Sequence, residues 1–248
     1  MHQPPHPAPR PVWPPPPRAP GTAEHAGRTE HAARGGHTNR ATRGGHTAPG
    51  GRAERPEGTL FGETLWRVLI VVCAVLGYRA TEGGTLLALS QLASVAAAVG
   101  YSAVVVLTLT AAALRRPEPP TSWLRGLLAA SLLLVMLTWF TAMGGGVDET
   151  WSLFEHLLTP LAALVDWLCV GRRQRASRWW YPLTWAGALL LYLAVYLTSD
   201  VSVYPFLEPG DPIFLPALAG LAAAALAVGY ALVATARARR RPPGMAAA

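Results

Sequence analysis

From residue 83 onward the chain is a succession of long uncharged runs separated by short charged segments. Residues 83–114, 126–147, 179–199 and 212–236 carry no acidic or basic side chain. Each run exceeds the roughly 20 apolar residues with which a helix crosses a ~30 Å hydrocarbon core. Two further spans are less clean. Residues 68–78 are uncharged but bounded by Arg67 and Arg79, so a span over 63–80 requires Arg67 to snorkel toward the headgroups. Residues 151–170 are apolar apart from Glu155, His156 and Asp166. No alternation of period two occurs, and only helices or closed barrels satisfy their backbone in lipid. The pattern predicts an all-α polytopic membrane protein of six transmembrane helices.

The charges between the runs alternate in kind. Arg115, Arg116 and Arg125 occupy one side, as do Arg172, Arg173, Arg175, Arg178, Arg237, Arg239, Arg240 and Arg241. The intervening connections carry Asp148 and Glu149, then Asp200, Glu208 and Asp211. Arginine in short loops marks the cytoplasmic face, which predicts cytoplasmic N- and C-termini and places Arg79 alone on the outer side. Residues 1–60 are rich in proline, glycine and histidine and poor in aliphatic side chains. They are expected to form a disordered tail, with residues 61–241 as the membrane domain and 242–248 as a short C-terminal tail. The stretch 11–17 has the composition of a polyproline helix that a cytoplasmic partner would read. The plainer role is a solvated linker.

A formal net charge of +7 and a pI near 10.1 would point to nucleic acid in a soluble protein. Here the arginines flank spans, where they anchor to anionic lipid, and no aromatic–basic platform accompanies them, so no nucleic-acid partner is expected. The absence of lysine beside abundant Ala, Gly, Pro and Arg suggests a high-GC bacterial genome, and hence the bacterial plasma membrane. The two cysteines, Cys73 and Cys169, fall at different depths, which argues against a disulfide or a metal site. A single histidine outside the tail excludes bis-histidine haem. Neither HExxH nor GxSxG occurs, and without lysine no Walker A loop is possible. No cofactor is expected.

Ionisable groups within a bilayer are costly and are functional candidates by default. His156 lies about 9 Å along the fourth helix from its outer end, where an imidazole can serve as a general base or hydrogen-bond a neighbouring helix. Glu155 reads as a first-turn acid near water. Asp166 reads as an ion-pair partner of Arg172 and Arg173 near the cytoplasmic end, with ligand binding as the alternative. In the second helix Thr85 lies at the rim, while Ser90 and Gln91 lie about a turn and a half deeper, and Ser90 matches His156 in depth to within a few ångström. Hydroxyls in membrane helices commonly bond a carbonyl one turn back, and that simpler role applies to Ser90 as well.

Several short motifs carry a resemblance. They are Trp123-Leu124-Arg125-Gly126, His156-Leu157-Leu158-Thr159-Pro160, Leu164-Val165-Asp166-Trp167, Tyr181-Pro182-Leu183 and Tyr204-Pro205-Phe206-Leu207. In order and spacing, over about half the chain, they resemble the bacterial Pr6Pr family of six-helix membrane proteins. That family is distantly similar to the androgen-induced membrane hydrolases, some of which cleave fatty acid esters of hydroxy fatty acids with a threonine nucleophile and a histidine. The resemblance implies that His156 takes the histidine's place. Ser90-Gln91 falls on the family's Ser-Asn, which leaves Leu86-Leu87 where Phe-Thr is usual. Thr85 is displaced by two residues, about 200° around a helix. Three readings follow. One is a lipid- or amphiphile-binding membrane protein without catalysis. Another is a lipid ester hydrolase with His156 as base, Ser90 or Thr85 as nucleophile and Gln91 stabilising the oxyanion. The third is an ion- or proton-coupled transporter in which Asp166 faces water.

Overall fold

The computed structural model describes residues 57–81, 84–171, 174, 177–199 and 202–238. The chain divides into two units, Met1–Arg52 and Ala53–Ala248, and every described residue belongs to the second. The expected tail disorder, the C-terminal tail and Arg172, Arg173, Arg175, Asp200 and Arg239 to Arg241 fall outside these residues. Among the described residues there are six main helices and no strand: α1 (Glu57–Ala80), α2 (Leu89–Ala113), α3 (Ser122–Thr141), α4 (Thr150–Val170), α5 (Tyr181–Leu197) and α6 (Phe214–Ala238). All but α5 are long and apolar enough to cross a membrane; α5 has 17 residues.

The helix ends differ from the sequence pattern where local chemistry intervenes. α1 starts before the expected boundary at Glu63. α2 starts only at Leu89, because residues 85–88 form a turn in which the Ala88 N–H bonds the Thr85 carbonyl. α3 closes before Gly144, which adopts φ +59°, a conformation that glycine takes without Cβ strain. α4 is one continuous helix with two π-type turns, Phe154–Leu158 and Asp166–Val170. Pro160 has no N–H for the His156 carbonyl four residues back, and the helix answers such a gap by widening. The second π turn ends at Gly171, whose N–H reaches the Asp166 carbonyl at 2.9 Å.

The interior is built largely from small and aromatic residues. Ala74 of α1, Ala93, Ala97 and Tyr101 of α2, Ala129 of α3, and Ala163 and Trp167 of α4 are buried together with Trp185 of α5 and Leu232 of α6. Small side chains let helix backbones approach where lipid supplies no hydrophobic drive between them. The tryptophans add directed bonds: Trp66 Nε1 donates to the Ala162 carbonyl at 3.1 Å and Trp167 Nε1 to the Leu232 carbonyl at 3.0 Å. The outside is apolar, with Val99, Val106 and Leu191 well exposed, as a lipid-facing surface requires.

α1 packs tightly on α4 at Gly77, where an added Cβ would lie 2.8 Å from Glu155 Cγ and 3.1 Å from Phe154 Cβ. Gly77→Leu is therefore expected to lose about 1–3 kcal/mol through overpacking. Thermal unfolding in detergent checks this against Gly62→Leu, because nothing lies within 4 Å of Gly62. Equal melting of the two variants would contradict tight α1–α4 packing.

Candidate functional site

Two buried polar clusters lie at opposite ends of the bundle. The first gathers Arg67 of α1, Arg125 of α3 and Asp166 of α4, all 2 % exposed or less. The Arg125 Nε donates to Asp166 Oδ2 at 2.7 Å, and Nη2 sits 2.6 Å from the same oxygen and donates to the Asp166 carbonyl at 2.9 Å. Arg67 Nε lies 3.5 Å from Asp166 Oδ1, while Nη2 is 3.7 Å from Glu63 and Nη1 is 3.7 Å from Glu118. Thr108 of α2 accepts from Arg67 at 3.1 Å and donates to Glu118 at 2.8 Å. Gly171 provides the space for Arg125, whose guanidinium occupies the position a Cβ would take.

This arrangement corrects one expectation. Arg67 does not snorkel outward but turns into the bundle. Asp166 pairs with Arg67 and Arg125, brought from two other helices; its expected partners Arg172 and Arg173 lie outside the described residues. A guanidinium in the interior needs a carboxylate and further hydrogen bonds to offset lost hydration, and α4 supplies both from one residue. Asp166, fully buried, acts here as a knot between three helices.

The second cluster gathers at the start of α4. His156 is 3 % exposed and stacks on Trp139 of α3, with ring centroids 4.0 Å apart and planes at 14°. Trp151 meets the same ring edge-on at 5.6 Å. Trp139 is held in turn by its Nε1 donating to the Gly146 carbonyl at 2.9 Å, and its ring lies where a Cβ on Gly145 would be. The His156 ring is further engaged by the backbone of Ser152, one turn back.

Glu155 points away from His156, toward α1 and α2. Gln91 Nε2 donates to Glu155 Oε1 at 2.5 Å and to Thr81 Oγ1 at 2.8 Å, and the hydroxyls of Ser90 and Thr81 also interact with the Glu155 carboxyl. At 1 % exposed, Glu155 is not the water-facing first-turn acid that the sequence suggested. The π turn and the missing side chain at Gly77 bring it into the interior.

A cavity of about 130 Å³ lies between this end of α2, α3 and α4 and the α5–α6 pair. Ser90 and His156 both line it, as do Thr138 and Trp139. The remaining wall is almost wholly apolar, from Leu189 and Leu193 of α5 to Leu218 and Ala222 of α6. Exposed Leu190 and Met143 lie where it meets the outside of the bundle. Ser90 and His156 thus share one cavity, although no hydrogen bond joins them.

Neither of the other two second-helix candidates lines the cavity. Thr85 precedes α2 altogether, and its hydroxyl accepts from the Leu87 N–H at 3.2 Å. Gln91 is engaged by Glu155 and Thr81. Among the described residues no group of three or more His, Cys, Asp or Glu side chains is placed to hold a metal, and Cys73 and Cys169 are both free.

The sequence reading missed the tyrosines that close the cavity's end. Tyr204, in the α5–α6 connection, accepts from the Leu89 N–H at 2.8 Å and so caps α2. Tyr192 donates to the Leu87 carbonyl at 2.6 Å, and Tyr196 accepts from the N–H groups of both Val203 and Tyr204 at 2.9 Å. Burial pushes the Tyr204 phenol above its ordinary pKa, so it stays protonated and hydrogen-bonding. The only local signal was the Tyr-Pro-Phe sequence. Comparison of the chain with protein-family models, with curated proteins and with solved structures gave no match.

Proposed function

We propose that the chain is a six-span integral membrane protein of the Pr6Pr type that binds a lipid or small amphiphile in the cavity beside His156. The observation that carries this reading is the make-up of the cavity: apolar walls from four helices and the α5–α6 connection, with polar groups from Ser90, Thr138, His156, Tyr192 and Tyr204. Ligand sites combine a mostly apolar lining with a few placed polar groups. α5 completes the sixth span when Trp179 and Trp180 on one side and residues 198–199 on the other extend it to the interfaces, where aromatic residues favour headgroup depth. The arginine bias puts the Asp166 end and both termini on the cytoplasmic side of a bacterial plasma membrane, and the His156 cavity in the outer leaflet. The test is mass spectrometry of lipid extracted from protein purified in mild detergent. One amphiphile enriched over the host membrane supports the reading, whereas an extract of host composition overturns it.

A lipid ester hydrolase is the second reading, favoured by Ser90 and His156 lining one cavity. In it His156 takes the Ser90 proton as the hydroxyl attacks the ester carbonyl. It ranks second because Ser90 leans on Glu155 rather than on His156, and Gln91 is occupied away from the cavity. Fluorophosphonate labelling separates the two readings. Labelling that disappears in both Ser90→Ala and His156→Ala establishes the hydrolase, and no labelling beside a reactive control enzyme leaves binding alone.

A further inference from the structure

We infer that the ligand of the His156 cavity is a neutral amphiphile with a single long chain and an ester or hydroxyl group at its polar end. The inference rests on the binding reading above and names its ligand class.

Charge is the first argument. Among the described residues that line the cavity there is no Asp, Glu, Lys or Arg; the polar contributions are Ser90, Thr138, His156, Tyr192 and Tyr204. The two tyrosine hydroxyls already serve the Leu87 carbonyl and the Leu89 N–H. The Ser90 hydroxyl is likewise engaged, by the Glu155 carboxyl, which leaves Thr138 of α3 and the His156 ring of α4 for a ligand. Groups of this kind give hydrogen bonds to a carbonyl or hydroxyl but no counter-charge. An anionic head would lose its water without gaining a cation. The loops at this end make matters worse for it: Asp148, Glu149, Glu208 and Asp211 lie there, against Arg79. A cationic head fares no better, since Glu155 faces Gln91 and Thr81 behind Ser90 and does not line the cavity.

Size is the second argument. About 130 Å³ holds on the order of ten water-sized groups, taking about 10–15 Å³ for each. That accommodates a small head and the first part of one chain, but not two chains side by side. The rest of the chain leaves past Leu190 and Met143, both exposed, into the surrounding acyl phase.

Trp139 lines the cavity and stacks on His156, so it reports occupancy. The full chain in phosphatidylcholine nanodiscs is titrated with dibromostearoyl glycerol. Parallel titrations use an anionic phosphate and a cationic quaternary-amine lipid of the same single chain, and a two-chain dibromo phosphatidylcholine. Bromine quenches nearby indoles, and subtraction of the Trp139→Phe signal isolates Trp139. Competition by unbrominated monoacylglycerol gives the same information from the unmutated chain should Trp139→Phe fail to fold. The expected result is saturable, competed quenching by the neutral single-chain probe at about tenfold lower concentration than by any other. A charged or two-chain probe that binds as well or better overturns the ligand class and leaves the binding reading standing. Absence of saturable quenching by every probe overturns both.

Discussion

Asp166→Ala is expected to cost most of the protein's stability. Arg125 then keeps a buried guanidinium whose described carboxylate partner is gone, and Arg67 is left with Glu63 and Glu118 at 3.7 Å each. Breaking a buried ion pair by removing one partner costs about 3–5 kcal/mol, against total stabilities of about 5–15 kcal/mol. The variant should accumulate poorly in membranes, and what is recovered should unfold at a markedly lower temperature in detergent. Replacing both partners, Asp166→Leu with Arg125→Met, should recover much of the loss, because an apolar pair of similar volume leaves no uncompensated charge. Wild-type melting of Asp166→Ala would mean that the cluster does not hold the bundle, and would return Asp166 to the list of ligand-binding candidates.

Ala222→Trp is expected to abolish ligand binding while leaving the fold intact. Ala222 lines the cavity from α6, and an indole adds about ten heavy atoms to a space of roughly ten water-sized groups. Binding should weaken at least about a hundredfold, equivalent to about 2.8 kcal/mol. Filling a cavity does not by itself destabilise, so melting should stay near or above that of the wild type. Ala223→Trp is the control, because Ala223 is exposed on the outside of the same helix and the same indole there should leave binding unchanged. A fall in binding for both variants would place the effect in helix packing rather than in occupied space.

These two sites differ in how far they could be read from sequence. The spans were legible because long uncharged runs have few alternatives in lipid. The match in depth expected of Ser90 and His156 followed from a fixed rise per residue. The Asp166 cluster was not legible. Arg67, Arg125 and Asp166 lie on three helices and meet only once the bundle is packed. Glu155 was misread for a local reason that the sequence did contain. Pro160 stands four residues after His156, and the π turn it favours, together with the bare backbone at Gly77, moves a residue expected at the water boundary into the interior. Thr85 was placed in the second helix because the uncharged run begins at residue 83. Hydropathy does not see the turn over 85–88 that delays the helix to Leu89. Tyr192 and Tyr204 gave no periodic signal at all, since their roles are single hydrogen bonds to the α2 N-terminus.

The central claim is that an amphiphile occupies the space between α2–α4 and the α5–α6 pair. The most direct measurement is photo-crosslinking in nanodiscs with a monoacylglycerol carrying a diazirine near its ester, followed by peptide mapping. Label is expected to concentrate on Thr138, Trp139, His156 and the facing segments of α5 and α6, and to be lost in Ala222→Trp. Label spread over the lipid-facing surface at Val99, Val106 and Leu191, unchanged by Ala222→Trp, would contradict it.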